Sequence, residues 1–396
     1  MITKEISSVV DLLERMVEID TVNEVTSGKP FPERALLELI EKIAADSGFS
    51  VQRLEIPVAL HPESYNLLIS YEVSPTAPWL LFESHADTVG VDGMSTPPFT
   101  PKIDEGRIYG RGVCDTKASG AALLSALQRY VADSGNSVQP NNIALLFVTD
   151  EEIGKTGAKA FVGEQLGRLP WKPKAIFVGE PTMCGQVVAH NGVIRWKVQT
   201  KGVAAHSSKP ENGKSAISAM AKLLLGFERE YCAKLNQSHP LTGDAVCSIN
   251  TISGGVAVNI IPDLCEVELD RRTLPGEDSQ VVLQEIANTF RAIAATDPSI
   301  DFEMLDPFVD PPLDPRVNAS ISQQLVGILE GCGLSGEPQG AGYGTDASTY
   351  SAAGLPAIVI GPGSIAQAHT EDEWLELEQL TKSVELYHAI MRCDFQ

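Results

Sequence analysis

The residues best suited to chemistry in this 396-residue chain are histidines and carboxylates, and they recur in one context. After the apolar run 79–82 come Glu83-Ser84-His85-Ala86-Asp87. After the run 143–148 come Thr149-Asp150-Glu151-Glu152. After 175–178 come Gly179-Glu180-Pro181, and after 358–360 come Gly361-Pro362-Gly363 with His369 beyond. An acidic triplet is ordinarily a solvated loop, and an isolated His-x-Asp is common. Solvation alone, however, gives no reason for such groups to follow every apolar run. Imidazoles mixed with carboxylates suit Zn²⁺ or a similar borderline cation. Two histidines with this many carboxylates exceed the needs of one four-coordinate ion, which points to two cations bridged by a carboxylate. Asp115, in Gly110-Arg111-Gly112-Val113-Cys114-Asp115-Thr116-Lys117, suits the bridge. That loop lacks the spacing of a phosphate-binding loop, and its Asp would repel a phosphate.

Positioning these groups requires elements that end together. Residues 6–16 and 33–47 carry apolar side chains at helical spacing, and strand-length runs occur at 79–82, 143–148, 175–178 and 356–360. Helical patterns follow at 118–131 and 156–166. Strands alternating with helices predict an α/β domain with a mainly parallel sheet flanked by helices. In open sheets of that kind, sites form beyond the carboxyl ends of the strands.

The middle of the chain reads differently. Residues 193–200 alternate polar and apolar, a long helical pattern spans 215–235, and strand runs follow at 245–252 and 264–269. A helix at 279–295 and a last strand at 302–305 complete the order of a small α+β sandwich. The α/β signals resume with a helix at 317–329. The expectation is a domain formed by 1–189 and 310–396, with an inserted domain at 190–309. The proline-rich segment 307–315 is the expected return linker.

Composition excludes several classes. Hydrophobic residues make up 43% of the chain and charged residues 21%, which rules out a largely disordered protein. The net charge of −22 argues against nucleic acid or an anionic membrane as partner, because phosphate recognition needs clustered Lys and Arg. No apolar stretch reaches the ~18 residues of a membrane span. The N-terminal residues show no basic region leading into an apolar run, so the expected location is cytoplasmic. Seven cysteines without a C-x-x-C pair suit reduced, mostly buried thiols better than a disulfide framework.

Taken together the motifs resemble the co-catalytic zinc amidohydrolase and peptidase family of acetylornithine deacetylase, succinyl-diaminopimelate desuccinylase, aminoacylase and glutamate carboxypeptidase. The matching pieces are Ser84-His85-Ala86-Asp87-Thr88, Gly110-Arg111-Gly112 through Lys117, Asp150-Glu151-Glu152-Ile153-Gly154, Gly179-Glu180-Pro181-Thr182, Ala205-His206-Ser207-Ser208 and residues 257–263. The tail 361–369 is most similar to the acetylornithine deacetylase branch. The chain departs from the family at Ala118, where relatives carry Gly, and at Asp346, where that branch carries Glu.

The resemblance implies a dizinc catalytic domain, with Co²⁺ or Mn²⁺ as substitutes, around an inserted lid that also forms a homodimer. It implies that Asp115 bridges the ions, His85 and Glu180 complete one site, and Glu152 and His369 the other. Asp87 would accept the second ring N–H of His85, and Glu151 would be the general base. His206 and Asn259, in the inserted domain, would stabilise the oxyanion, with His206 acting across the dimer. Arg272 and the backbone around Gly344 and Thr345 would hold a substrate carboxylate, and Asp346 would face a cationic side chain. The implied activity is hydrolysis of the amide of a small N-acyl amino acid, with N-acetylornithine first. Desuccinylation of succinyl-diaminopimelate, or cleavage of a dipeptide or C-terminal residue, is the alternative on the same fold. A non-catalytic binding protein on this scaffold is the remote one.

Overall fold

The computed structural model describes residues 8–57, 61, 63–133 and 139–395. The chain divides into two compact units. The first comprises residues Met1–Val188, Pro315–Gln339 and Thr345–Gln396, and the second Ala189–Asp314 with Gly340–Gly344.

Six strands of the large sheet lie wholly in the first unit, in the order Ser50–Glu55, Tyr65–Tyr71, Asn142–Val148, Trp79–His85, Pro173–Val178, Ala357–Val359. The last four run parallel to one another, and the first two are antiparallel additions at one margin. Strand Asn142–Val148 is buried along its whole length. Its unbroken apolar run is what a strand covered on both faces requires. Helix Lys117–Asp133 packs against Leu377–Met391 and Val9–Val17. It approaches the sheet closely because Gly120 has no side chain: a Cβ there would meet the Phe147 ring at 2.8 Å. No helix among the described residues is long and apolar enough to cross a membrane.

Some expected elements differ in detail. The first helix runs Val9–Val17 and is capped by Ser8, whose hydroxyl accepts the Asp11 N–H at 3.1 Å; residues 6 and 7 lie outside the described residues. The single helix expected over 156–166 is an α turn, Thr156–Ala160, that widens to a π turn at Phe161–Gln165 and tightens at Leu166–Arg168. Buried Gln165 there accepts from Asn66 at 2.9 Å and donates to the Leu54 and Glu55 carbonyls. Apolar spacing carries no trace of these polar demands. The proline-rich segment is also more ordered than a linker. Phe308–Asp310 pairs with Val193, Ile194 and Arg195, and Pro315 opens helix Pro315–Gly331.

The second unit has the expected order of elements: strand Gly192–Lys201, helix Ala216–Glu230, strands Val246–Gly254 and Leu264–Thr273, helix Ser279–Thr296 and strand Asp301–Met304. Its antiparallel sheet runs Val246–Gly254, Leu264–Thr273, Gly192–Lys201, Asp301–Met304. Ile194, Trp196 and Val198 point into the core, while Arg195 and Lys197 point outward to Asp270, Glu266 and Glu268. That alternation is the period of a half-covered strand. The two helices meet through Phe227 and Phe290, stacked at 4.3 Å.

Phe290→Ala is expected to destabilise the protein by about 3–5 kcal/mol in denaturant unfolding, because it empties the centre of this core. Arg195→Ala removes an ion pair on the outer face and should cost less than about 1 kcal/mol.

Candidate metal centre

Parallel pairing sets His85 beside Val148, so the two strands release their following loops together. The Ala86 N–H donates to the Val148 carbonyl at 2.9 Å and brings Asp87 under the loop that begins at Thr149. The Asp87 carboxylate then accepts the N–H groups of Glu151 at 3.0 Å and Glu152 at 3.1 Å. On the other side, the Gly179 N–H donates to the Glu83 carbonyl at 2.8 Å and aims Glu180 at the same edge. Gly361 lies so near that a Cβ would meet the Glu180 carbonyl at 2.7 Å, which carries the chain toward His369.

Two ligand groups result, and they share one residue. His85, Asp115 and Glu180 form the first; Asp115, Glu152 and His369 form the second. His85 Nε2 lies 3.0 Å from Asp115 Oδ1 and 3.7 Å from Glu180 Oε1. His369 Nε2 lies 3.2 Å from Asp115 Oδ2 and 3.1 Å from Glu152 Oε2. Each oxygen of Asp115 therefore faces a different histidine, the geometry of a carboxylate bridge.

Electrostatics point the same way. Burial alone would raise Asp115, but the hydrogen bonds with His369 and His85 outweigh it and hold the carboxyl well below its ordinary range. Burial opposes a charge on His85, yet Asp115, Asp87 and Glu180 pull the imidazole well above its usual value. Hydrogen bonds to Asp115 and Glu152 raise His369 to about 10. Glu151, Glu152 and Glu180 are all raised, in each case mainly by burial. Apart from Asp115, these acids are pushed toward neutrality and the imidazoles toward a charge, the response of a buried region short of positive charge. The donor set of imidazole nitrogens and carboxylate oxygens fits divalent zinc, cobalt or manganese.

Glu151 is not a member of either ligand group. Its carboxylate is 11% exposed and lies 4.0 Å from the ammonium of Lys155, which donates to the Thr345 carbonyl at 2.6 Å. The Asp87 carboxylate lies within reach of the His85 ring and also serves the following loop. His85 Nδ1 lies 3.0 Å from the Asp87 backbone carbonyl and 3.4 Å from its carboxylate, which is turned to the Glu151 and Glu152 N–H groups. Asp346 is fully buried rather than open to a substrate side chain, and Glu83 and Glu151 are raised first by burial and then by its charge.

The remaining sequence candidates, His206, Asn259, Arg272 and Gly344, belong to the second unit. His206 pairs across strands with Ile260, and the Ser207 N–H donates to the Asn259 carbonyl at 3.0 Å, so the fold joins these two. Both are exposed. Arg272 donates from Nε to Asp270 at 2.8 Å.

Sequence reasoning missed Glu373. It sits in Thr370-Glu371-Asp372-Glu373, a stretch that reads as a solvated acidic loop, yet it is fully buried. Its carboxylate accepts from Arg111 Nη1 at 2.9 Å and from the N–H groups of Gly112 at 2.9 Å, Cys114 at 2.7 Å and Asp115 at 3.0 Å. It thereby fixes the loop that carries the shared ligand. Glu33 was missed as well. It accepts the Asp150 N–H at 3.1 Å, and burial, with Asp87 adding, pushes its carboxyl up to about 8.

Residues 81–392 match the family described as peptidase family M20/M25/M40. The chain belongs to this family. It is therefore an amidohydrolase of the M20 class. It is 28% identical to an acetylornithine deacetylase of Myxococcus xanthus, over 93% of both chains. It is 31% identical to an N-acetyl-L-citrulline deacetylase of Xanthomonas campestris pv. campestris, over 98% of this chain and 99% of that one. Its fold matches that of a Bacillus subtilis protein described as a dinuclear metal-binding peptidase of family M20. That match has a TM-score of 0.70 and 17% identity, and it covers 97% of this chain and 96% of the other.

Glu373→Gln sets an amide where a carboxylate gathers N–H donors, so the Asp115 loop should loosen. Chelator competition is expected to show about 10–100-fold weaker metal affinity, the usual effect of losing a partner that orients a ligand.

Proposed function

We propose that this M20 hydrolase is a dizinc deacylase of N-acyl amino acids, with N-acetylornithine as its first candidate substrate. The observation that carries the reading is the pair of ligand groups sharing Asp115, with Glu151 beside them and outside both. Full-length similarity to proteins named as deacetylases supports the substrate class. His85, Asp115 and Glu180 hold one Zn²⁺, and Asp115, Glu152 and His369 the other. Two divalent cations held there would supply the Lewis acidity that polarises an amide carbonyl and eases the deprotonation of water. Glu151 would take a proton from the attacking water and deliver it to the leaving nitrogen, because an unprotonated amide anion is too basic to expel. His206 and Asn259 stabilise the tetrahedral oxyanion, and Arg272 with the backbone of Gly344 and Thr345 receives the substrate carboxylate.

A second reading of the side chain is favoured by one observation. Asp346 is buried, so the carboxylate assigned to ornithine's ammonium is not open to it. A neutral side chain, such as that of citrulline, is then the competing choice, in line with the 31% identical relative.

Hydrolysis of a panel of N-acyl amino acids, including acetylornithine and acetylcitrulline, by zinc-loaded protein with and without chelator tests the reading. Activity should vanish with chelator, and metal analysis should give about two ions per chain. Glu151→Gln should keep the metals and lose about 10²–10⁴-fold in kcat. Zero metal under loading conditions, or a Glu151→Gln protein that turns over normally, would reject it.

We further propose a homodimer built on the second unit. Strand Val246–Gly254 ends the sheet, and Val246 and Ile252 on it are more than half exposed. If His206 acts across that interface, mixing inactive His206→Ala and Glu151→Gln chains should restore activity, because one hybrid site then has both groups. No recovery after demonstrated subunit exchange would place His206 in its own subunit's site.

A further inference from the structure

Cys232 and Cys247 form no sequence motif, yet the second unit folds them together. Cys232 opens the short turn Cys232–Lys234 that follows helix Ala216–Glu230, and Cys247 lies near the start of edge strand Val246–Gly254. The turn packs against that strand, and both side chains sit half-buried on the rim of the same apolar core. Arg271 organises the junction. It is the cross-strand partner of Cys247. Its buried guanidinium donates from Nε to the hydroxyl of Tyr231, the residue just before Cys232, at 3.2 Å, and from Nη2 to Glu277 at 2.8 Å.

The pair stands apart from the other cysteines. Burial pushes the thiols of Cys114, Cys184, Cys265, Cys332 and Cys393 up. Cys232 is lowered, first by its hydrogen bond with Cys247 and to a smaller extent by the charge of Arg271, against partial burial and Glu228. Cys247 is raised correspondingly, first by the same hydrogen bond and then by burial. A thiol with more thiolate character, partly exposed and beside a second thiol, is the pattern of a nucleophile with its resolving partner.

We propose that Cys232 and Cys247 are a redox-active thiol pair that closes to an intrachain disulfide by exchange with a small-molecule disulfide. The Cys232 thiolate attacks one sulfur of the oxidant R–S–S–R, forms Cys232–S–S–R and expels RS⁻, which takes up the proton that Cys232 released. Cys247 then loses its proton and attacks Cys232 Sγ, expelling the second RS⁻, which is protonated in turn. The protein gives up two electrons and two protons, and the oxidant becomes two thiols. The new bond ties the end of helix Ala216–Glu230 to the edge strand and closes the loop that carries the hairpin of Ser238–His239 and Gly243–Asp244. Closing a loop restricts the unfolded chain and stabilises the folded one.

The test uses the full-length protein and oxidised glutathione, followed by alkylation of free thiols, digestion without reduction and mass-spectrometric mapping. The expected product is a Cys232–Cys247 cross-linked peptide that dithiothreitol dissolves. Cys247→Ser should stop at a glutathione adduct on Cys232, and Cys232→Ser should leave Cys247 unmodified. The oxidised wild type should unfold at a higher temperature than the reduced form, with no such difference in either variant. Adducts on Cys332 or Cys393 in preference to Cys232, a cross-link between other cysteines, or no adduct on Cys232 in Cys247→Ser would overturn the proposal. The wild-type map decides alone if a variant fails to fold.

Discussion

Glu83, Asp87, Asp115, Glu151, Glu152, Glu180 and Asp346 all lie in one buried region at the carboxyl ends of the central strands, with Lys155 as the ammonium among them. Concentrating so many acids out of water is unfavourable unless each charge is answered by a proton, a hydrogen bond or a cation. The structure shows the partial answers. Asp87 is satisfied by two backbone N–H groups, Asp115 by two imidazoles, and Glu83, Glu151 and Glu180 shift toward protonation. Divalent cations at the two ligand groups would answer the rest, so the demand for metal is built into the sheet edge itself.

That demand dictates how tightly the surrounding loops must be held. Mutual repulsion would spread the acids if their backbones were free to move. Each ligand-bearing segment is instead tied to a neighbour: the Glu151–Glu152 loop to Asp87, the Asp115 loop to Glu373, and Glu180 to the strand edge through the Gly179 N–H. Behind the His369 segment, the Tyr387 hydroxyl donates to the Ile360 carbonyl at 2.8 Å. Carboxylates serve as the anchors of the Asp115 and Glu151–Glu152 loops because what has to be held there is a set of backbone N–H donors, which need acceptors.

The ligand candidates were legible in the sequence because a strand run buried on both faces is conspicuously apolar, and the residues just past its end are conspicuously polar. Central strands such as Trp79–His85 and Asn142–Val148 announce their own ends, and His85 and the 150–152 triplet sit there. Glu373 was not legible, since its role depends on an N–H cluster contributed by a loop more than two hundred residues earlier in the chain. The π turn at Phe161–Gln165 was hidden for a similar reason, because Gln165 answers to Asn66 and to the carbonyls of a distant strand. Cys232 and Cys247 looked scattered because the turn and the edge strand that join them are brought together by the fold. In each case the missing information is a long-range polar pairing, which leaves no periodicity behind.

The two units also divide the chemistry. Both ligand groups, Glu151 and their anchoring carboxylates lie within the first unit, whereas His206, Asn259 and Arg272 lie within the second. The candidate cation sites are thus contained in a single folded body, set by its local geometry and charge. Substrate recognition and oxyanion stabilisation, on the proposed assignment, draw on the other body as well. Changes in the core of the second unit, around Phe227 and Phe290, should therefore leave the ligand groups intact, whereas changes at Glu373 should act on the Asp115 loop directly. On the proposed assignment, such a division would let substrate choice vary through the second unit without disturbing the arrangement of acids, every member of which is held against the repulsion of the others.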